Sequence, residues 1–135
     1  MSTTSLTQVK SLDHIVLTVA DIEKTKQFYT KFLGMKHESF SSPKDPRVVR
    51  HALLFGDQKI NLHELGSEFV PRAQNAKPGS ADLCFLTETS VEDVLKGLKD
   101  AQMDVLEGGE VVERKGARGK LKSVYIRDPD GNLVE

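Results

Sequence analysis

The strongest constraint on the fold of this chain is an approximate internal repeat. When the second half of the sequence is laid on the first with a shift of 68 residues, Ile15 falls on Leu83, Leu17 on Phe85 and Met35 on Met103. Because the two halves agree in pattern rather than in identity, a duplicated supersecondary unit is better supported than any single residue equivalence. A chance match between two amphipathic halves of an α+β domain is the alternative that the sequence leaves open.

The first half reads as β-α-β-β-β. Alternating apolar residues over 12–19 predict a strand with His14 on one face and Ile15 on the other. Asp21 as the N-cap and Gly34 just beyond the C-terminus delimit a helix over 22–33. Three further strands are predicted, over 36–40, 48–55 and 59–64.

The second half repeats this order after a connecting segment. A strand over 81–87 and a helix opened by Ser90 are followed by predicted strands near Val105 and at 110–114, 122–127 and 132–135. The segment 65–80, rich in proline and glycine, reads as a linker that could also serve as a pocket lid. We therefore predict one domain over 11–135, with module one at about 11–64 and module two at about 81–135, preceded by a flexible segment over 1–10.

Charge and composition restrict the class of partner. The 19 basic and 20 acidic side chains nearly cancel, and no long block of like charge occurs, so we expect neither nucleic acid nor a membrane as partner. No apolar run approaches the roughly 20 residues that span a bilayer, and the first ten residues do not resemble a secretion signal. These features predict a cytoplasmic protein that binds a small-molecule substrate.

Several reactive residue types have ordinary interpretations. Cys84 has no second cysteine to pair with and lies in an apolar stretch, which favours a buried structural thiol. His37 and His51 read as surface or packing residues, and the basic, glycine-containing segment 114–120 reads as a solvated hairpin loop. The segment Asp128-Pro129-Asp130-Gly131 is typical of a turn.

Three segments resemble a known superfamily: DHIVLTVADIEKTKQFYTKFLGMK at 13–36, KINLHE at 59–64 and DPDGNLVE at 128–135. They are similar to the vicinal-oxygen-chelate (VOC) superfamily, which includes glyoxalase I, bleomycin- and fosfomycin-resistance proteins and extradiol dioxygenases. Among its subgroups the chain looks most similar to the glyoxalase domain-containing protein 5 type. The resemblance covers 11–135 and implies an α+β fold, in which two tandem βαβββ modules form a curved, cup-like mixed sheet with helices on the outer face. It also implies a homodimer, because a second chain would close the open cup.

The resemblance further implies a divalent metal ion held inside the cup by His14 and Glu135. Imidazole and carboxylate suit Zn, Ni, Mn, Co and Fe alike, so the metal is not distinguished. Strand 59–64 offers Asn61 or His63 as a third ligand, and matching Asn61-Leu62-His63 to Leu133-Val134-Glu135 favours His63. Without the resemblance, His14 would read as a packed strand histidine and Glu135 as a solvated carboxylate.

The fourth position carries Asp82, where the family commonly has histidine. Asp82 could ligate the metal, orient a ligand imidazole or simply open a strand. Glu135 is the candidate catalytic base for removing a proton beside a polarised carbonyl. Because Asn61 and Asp82 depart from the family pattern, they argue against lactoylglutathione lyase activity itself.

The function that these residues imply is that of a divalent-metal-dependent, glyoxalase-like lyase or isomerase acting on a small oxygen-chelating substrate. An extradiol-type dioxygenase is the alternative enzyme, because two histidines and one carboxylate can hold non-haem iron. A non-catalytic protein that sequesters an antibiotic, or an interaction protein with a vestigial site, is the alternative from another class.

Overall fold

A computed structural model describes residues 4–135 of the protein. Residues 1–3 of the predicted flexible segment lie outside the described residues, and residues 4–14 form no helix or strand. In the first module the elements are β1 (Ile15–Val19), α1 (Ile22–Leu33), β2 (Lys36–Ser41), β3 (Val49–Phe55) and β4 (Gln58–Glu64). In the second they are β5 (Asp82–Leu83), α2 (Val91–Asp100), β6 (Val112–Gly116), β7 (Gly119–Ser123), β8 (Ile126–Arg127) and β9 (Leu133–Val134). Within the described residues, no helix has the length and apolar character needed to cross a membrane.

Both modules place their first and last strands side by side. The first sheet has the order β1-β4-β3-β2, with β1 parallel to β4, and in the second β5 is parallel to β9, which pairs with β8. The β6–β7 hairpin is a separate two-stranded sheet, because residues 124 and 125 interrupt the strand predicted over 122–127. The predicted α+β class is confirmed, and the strand order shows the repeat that the sequence pattern indicated.

The helices begin and end where local chemistry predicts. The Asp21 carboxylate accepts a hydrogen bond from the Lys24 backbone N–H at 3.1 Å, and Gly34 ends α1 with a φ of 67°. Ser90 caps α2 by accepting from the Asp93 N–H at 3.2 Å. The strand predicted near Val105 is wrong, because the chain there leads into a short 3-10 turn (Glu107–Gly109) in which Gly108 has a φ of 73°.

One hydrophobic core joins the two modules. Buried side chains of the first sheet and α1 pack with Leu98 of α2 and with Val124, Ile126 and Val134 of the second module. Strands β1, β3 and β4 therefore turn one face toward this core and leave the other face available for a site.

A buried carboxylate fixes the turn before β9. Asp128 Oδ1 accepts from the backbone N–H groups of Asp130 and Asn132, and Oδ2 accepts from the Tyr29 hydroxyl at 2.7 Å and from Asn132 Nδ2 at 2.8 Å. Asn132 Oδ1 in turn accepts from the Ala81 N–H at the start of β5. The turn thus links α1 of the first module to both parallel strands of the second.

Candidate functional site

The face of the first sheet that points away from the core carries most of the polar candidates. Because Ile15, Leu17 and Val19 alternate into the core, His14, Val16 and Thr18 point to the opposite side. On β4, Asn61 pairs with Val16 and His63 pairs with Thr18, so both share that side. We call this surface the open face of the first sheet.

His14 lies one residue before β1 with one ring nitrogen already engaged. Its Nδ1 is 2.8 Å from Asp13 Oδ2, and the imidazole is 39% exposed. A carboxylate on one ring nitrogen orients the ring and leaves Nε2 for another partner. The same contact lowers the pKa of the Asp13 carboxyl.

The strand register distinguishes Asn61 from His63. Since Ile15 pairs with Ile60, His14 lies opposite Lys59, and Asn61 is its diagonal neighbour on β4. His63 lies two residues further along, roughly 13 Å along the strand from the position opposite His14. In the second module Asp82 lies opposite Leu133, and Glu135 is the diagonal neighbour. The register therefore equates Asn61, rather than His63, with Glu135.

The environment of His63 differs from that expected of a residue that binds a metal ion together with His14. Its ring packs edge-on against Phe69 at 5.4 Å between centroids. Burial, together with the nearby Arg50 cation, lowers the pKa of His63, while Glu68 opposes this shift. The residue lines a cavity of about 690 Å³ with Thr18 and part of the segment 71–80.

Asn61 carries an unsatisfied buried acceptor. Its Oδ1 atom has no hydrogen-bond partner among the described residues, although it is buried. A buried polar atom without a partner costs free energy, and in folded proteins it is explained by an ordered water, an ion, a bound ligand or local strain. Asn61 is therefore the polar residue of the open face that points most directly to a binding site.

Glu135 and Asp82 lie on the corresponding face of the second sheet. The Glu135 backbone is held to β5 by two hydrogen bonds of 2.7 Å, from its N–H to the Leu83 carbonyl and from the Phe85 N–H to its own carbonyl. Its Oε2 accepts from the Ser123 hydroxyl at 2.7 Å. Asp82 is exposed at the start of β5.

Cys84 corrects one expectation from the sequence. It is exposed rather than buried. Cys84 follows β5 with its side chain on the same face as Asp82, at the position paired with Glu135, whereas Leu83 faces the core. Partial burial of the thiol and the neighbouring Glu135 carboxylate raise the pKa of Cys84. The alternation of a strand, read from the partly buried Leu83 and Phe85 on either side of it, is the signal that would have identified this exposure.

The site residues occupy two separate regions of one chain. Glu135 lines a cavity of about 750 Å³ with Cys84 and Ser123, while His63 lines the other cavity and His14 lines neither. Across residues 4–135, no group of three or more His, Cys, Asp or Glu side chains is close enough to hold a metal ion. A single copy of the chain therefore does not bring together His14, His63, Asp82 and Glu135.

Two mixed sheets, each with one parallel strand pair, and their polar outer faces define a tandem βαβββ protein. The chain belongs to the Glyoxalase/Bleomycin resistance protein/Dioxygenase superfamily, which it matches over residues 11–135. It is 48% identical over 127 residues to Virulence protein STM3117 of Salmonella typhimurium, covering 94% of this chain and 83% of that protein. It is equally identical to the glyoxalase domain-containing protein RDO1 of Mycosarcoma maydis, with 94% and 67% covered.

Solved structures agree with this assignment. An integron cassette protein of V. Cholerae superposes with a TM-score of 0.85 at 52% identity, covering 96% of this chain and 95% of that one. Lactoylglutathione lyase from Agrobacterium tumefaciens and the antibiotic-binding protein TnmS3 from Streptomyces both superpose with a TM-score of 0.65, at 21% and 18% identity. These two cover 94% and 95% of this chain, and 92% and 94% of their own, and they show the fold alone.

Proposed function

We propose that the protein is a divalent-metal-dependent, glyoxalase-like lyase or isomerase whose site is completed between two copies of the chain. The observation that carries the proposal is the buried, unpartnered Oδ1 of Asn61 beside the strand position of His14. His14 and Asn61 from one module, with Asp82 and Glu135 from the other, give nitrogen and oxygen donors suited to a divalent ion. His63, the other candidate on β4, lies further along the strand.

The donor atoms fit a metal. The Asp13 carboxylate holds His14 through Nδ1, which leaves Nε2 to ligate, and the Asn61 oxygen has no competing donor. When bound, the ion would act as a Lewis acid toward neighbouring substrate oxygens. The sequence and the site do not distinguish Zn, Ni, Mn, Co and Fe.

Glu135 is the proposed catalytic base. Its carboxylate is held at one oxygen by the Ser123 hydroxyl, and its backbone is fixed to β5, so its other oxygen can take a proton from the substrate. The cavity of about 750 Å³ that it lines is large enough for a small organic molecule.

In a homodimer, the two halves of the site, which lie apart within one chain, would come together across the interface. Val16, which is 43% exposed on the open face, and Leu86, which is 67% exposed beyond β5, are apolar residues that a second copy could cover. We expect His14 and Asn61 of one protomer to face Asp82 and Glu135 of its partner. A cytoplasmic location and a small-molecule substrate complete the proposal.

Elemental analysis of protein purified without added metal tests the site. We expect about one transition-metal ion per chain in the wild type and a marked loss in His14→Ala, Asn61→Ala and Glu135→Gln. The control is His37→Ala, which removes a histidine from the core side of the first sheet. Retention of full metal content in all three site variants would contradict the proposal.

Mixed dimers test whether the site is shared. Co-expressed His14→Ala and Glu135→Gln chains should recover about a quarter of the wild-type metal content, because about half of randomly mixed dimers are heterodimers with one intact site of two. No recovery in confirmed heterodimers would place the site within one chain. A light-scattering mass equal to the single-chain 15.0 kDa would refute the dimer.

A non-catalytic binding protein is the second candidate. The observation that favours it is an amide, Asn61, at the position equivalent to the Glu135 carboxylate, which lowers the charge available to a metal. A folded, metal-free protein after reconstitution with each divalent ion, and no turnover of α-ketoaldehyde adducts or catechols, would favour this function over the enzyme.

A further inference from the structure

Arg50 lies on the open face of the first sheet, and it has no acidic partner within the described residues. It is half-buried on β3, where it pairs with Phe40 of β2, and the register of β3 with β4 places it opposite His63. Its guanidinium lies over the Phe69 ring, with Cζ 4.0 Å from the centroid. Stacking of this kind fixes the plane of the guanidinium and shields it from water on one side.

The guanidinium has an unused donor. Arg50 Nε is buried and has no hydrogen-bond partner in the described part of the chain. The acidic side chain nearest in sequence to Phe69, Glu68, is already bound by Arg72 at 2.8 Å. No ion pair within residues 4–135 involves Arg50, unlike Arg47, Arg72 and Arg114.

The unused donor and the unused acceptor belong to neighbouring residues of the sheet. Arg50 is a diagonal cross-strand neighbour of Asn61, whose Oδ1 is the other unpartnered buried atom of this face. The backbones of diagonal neighbours lie about 7–8 Å apart, so both side chains extend from one small area of the open face. The two atoms have opposite requirements, because one needs an anionic oxygen and the other needs a donor or a cation.

We propose that Arg50 is the residue that recognises a substrate carboxylate, so that the natural ligand is a small organic acid bearing a second oxygen close to its carboxylate. The planar fork of arginine matches a carboxylate through two parallel N–H donors. The carboxylate held by Arg50 places a hydroxyl group on the adjoining carbon near Asn61, whose Oδ1 accepts its hydrogen bond. A single guanidinium beside an amide oxygen favours a monoanion over phosphate, whose second charge finds no additional cation among these partners.

The inference deepens the proposed function, but its test does not depend on a metal. Titration of ¹⁵N-labelled protein in EDTA with glycolate, followed by NMR of the arginine Nε–H groups, reports directly on Arg50. We expect a saturable shift of the Arg50 resonance and none for Arg47. The same titration with methyl glycolate, which lacks the charge, should leave both resonances unmoved.

Variants measure the contribution of the guanidinium. Arg50→Met keeps the aliphatic stem and should weaken glycolate binding by about tenfold or more, whereas Arg50→Lys keeps the charge but loses the fork and should fall between. The matched control is Arg47→Met, since Arg47 is 90% exposed and pairs with Asp45 outside this face. Both Arg50 variants are first checked to unfold at the same denaturant midpoint as the wild type. If a variant does not fold, the titration of the wild-type protein still tests the proposal.

The outcomes separate this inference from the metal proposal. An unmoved Arg50 resonance at saturating glycolate, or equal glycolate affinity in Arg50→Met, overturns the carboxylate site even if the protein holds a metal. Inorganic phosphate binding to Arg50 more tightly than glycolate overturns the carboxylate class. A saturable, Arg50-dependent shift in EDTA supports the inference even if elemental analysis finds no metal.

Discussion

Replacing Tyr29 by phenylalanine would isolate the contact that joins α1 to the turn before β9. Tyr29 is fully buried, and its hydroxyl donates to Asp128 Oδ2 at 2.7 Å. Its ring packs edge-on against Phe28 and Phe85, contacts that phenylalanine retains. Burial, with the Asp128 carboxylate beside it, raises the pKa of Tyr29, so the hydroxyl is a donor at every pH at which the protein is studied.

The expected loss follows from the kind of bond that is removed. A hydrogen bond to an ionised group contributes about 1.5–3 kcal/mol net. Asp128 keeps three other donors, from Asp130 N–H and from the backbone and side chain of Asn132, so its charge is not left bare. We therefore expect a loss of about 2 kcal/mol in the free energy of unfolding, which is less than removal of the carboxylate would cost.

Urea unfolding followed by circular dichroism measures the effect. With a slope of about 2 kcal/mol per M, the Tyr29→Phe midpoint should fall by about 1 M. The control is Tyr125→Phe, because Tyr125, the other tyrosine of the chain, is only partly buried. In an Asp128→Asn background the Tyr29→Phe loss should shrink, which a double-mutant cycle detects. A Tyr29→Phe loss no larger than that of Tyr125→Phe would refute the reasoning.

Three further perturbations test other parts of the structure. Burial, and to a lesser extent the charges of Lys26 and His51, lower the pKa of His37 below 6.5, while Glu23 opposes the shift. The unfolded chain then binds more protons, so stability should fall as the pH drops below about 6.5, and urea midpoints of His37→Gln should lose this part of the pH dependence. Gly79→Ala should lower the free energy of unfolding by about 2 kcal/mol, because its φ of 83° suits glycine and an added Cβ would overlap the Asp130 carbonyl oxygen. Gly97→Ala should raise the free energy of unfolding by about 0.5–1 kcal/mol in the same thermal or urea assay. Gly97 lies within α2, and an added Cβ would meet no atom within 4 Å.

Local chemistry explains why much of the fold could be predicted. Asp21 and Gly34 set the bounds of α1 through contacts within a few residues, and the observed helix is the predicted one. The order of the helix and the strands along the first module is the predicted β-α-β-β-β. The predicted strand near Val105 failed because the positive φ at Gln102 and at Glu107, 59° and 55°, turns the chain away from an extended course, and nothing in the apolar pattern records this.

Features that depend on pairing between strands could not be read from the sequence. The preference for His63 over Asn61 came from matching two peptide segments, whereas the cross-strand register aligns Asn61 with Glu135. Cys84 was placed in the core because its neighbours are apolar, although strand alternation puts it on the outer face. The glyoxalase domain-containing protein 5 subgroup stays a prediction.

The same network that stabilises the second module also positions the proposed base. Asp128 accepts hydrogen bonds that fix the turn, including one from the Asn132 side chain. Asn132 in turn accepts from the Ala81 N–H just before β5, and two backbone hydrogen bonds join Glu135 to Leu83 and Phe85 further along the same chain segment. In the first module the equivalent strand, β4, carries Asn61, whose Oδ1 is buried without a partner among the described residues. Arg50 on the adjacent strand β3 also has a buried atom, Nε, without a partner there. The proposed function therefore gives the two modules different roles: the second holds the Glu135 carboxylate, and the first offers the polar atoms of Asn61 and Arg50 to a ligand. Because the unpartnered buried atoms Asn61 Oδ1 and Arg50 Nε belong to neighbouring residues of the open face of the first sheet, we expect substrate specificity to depend on that face.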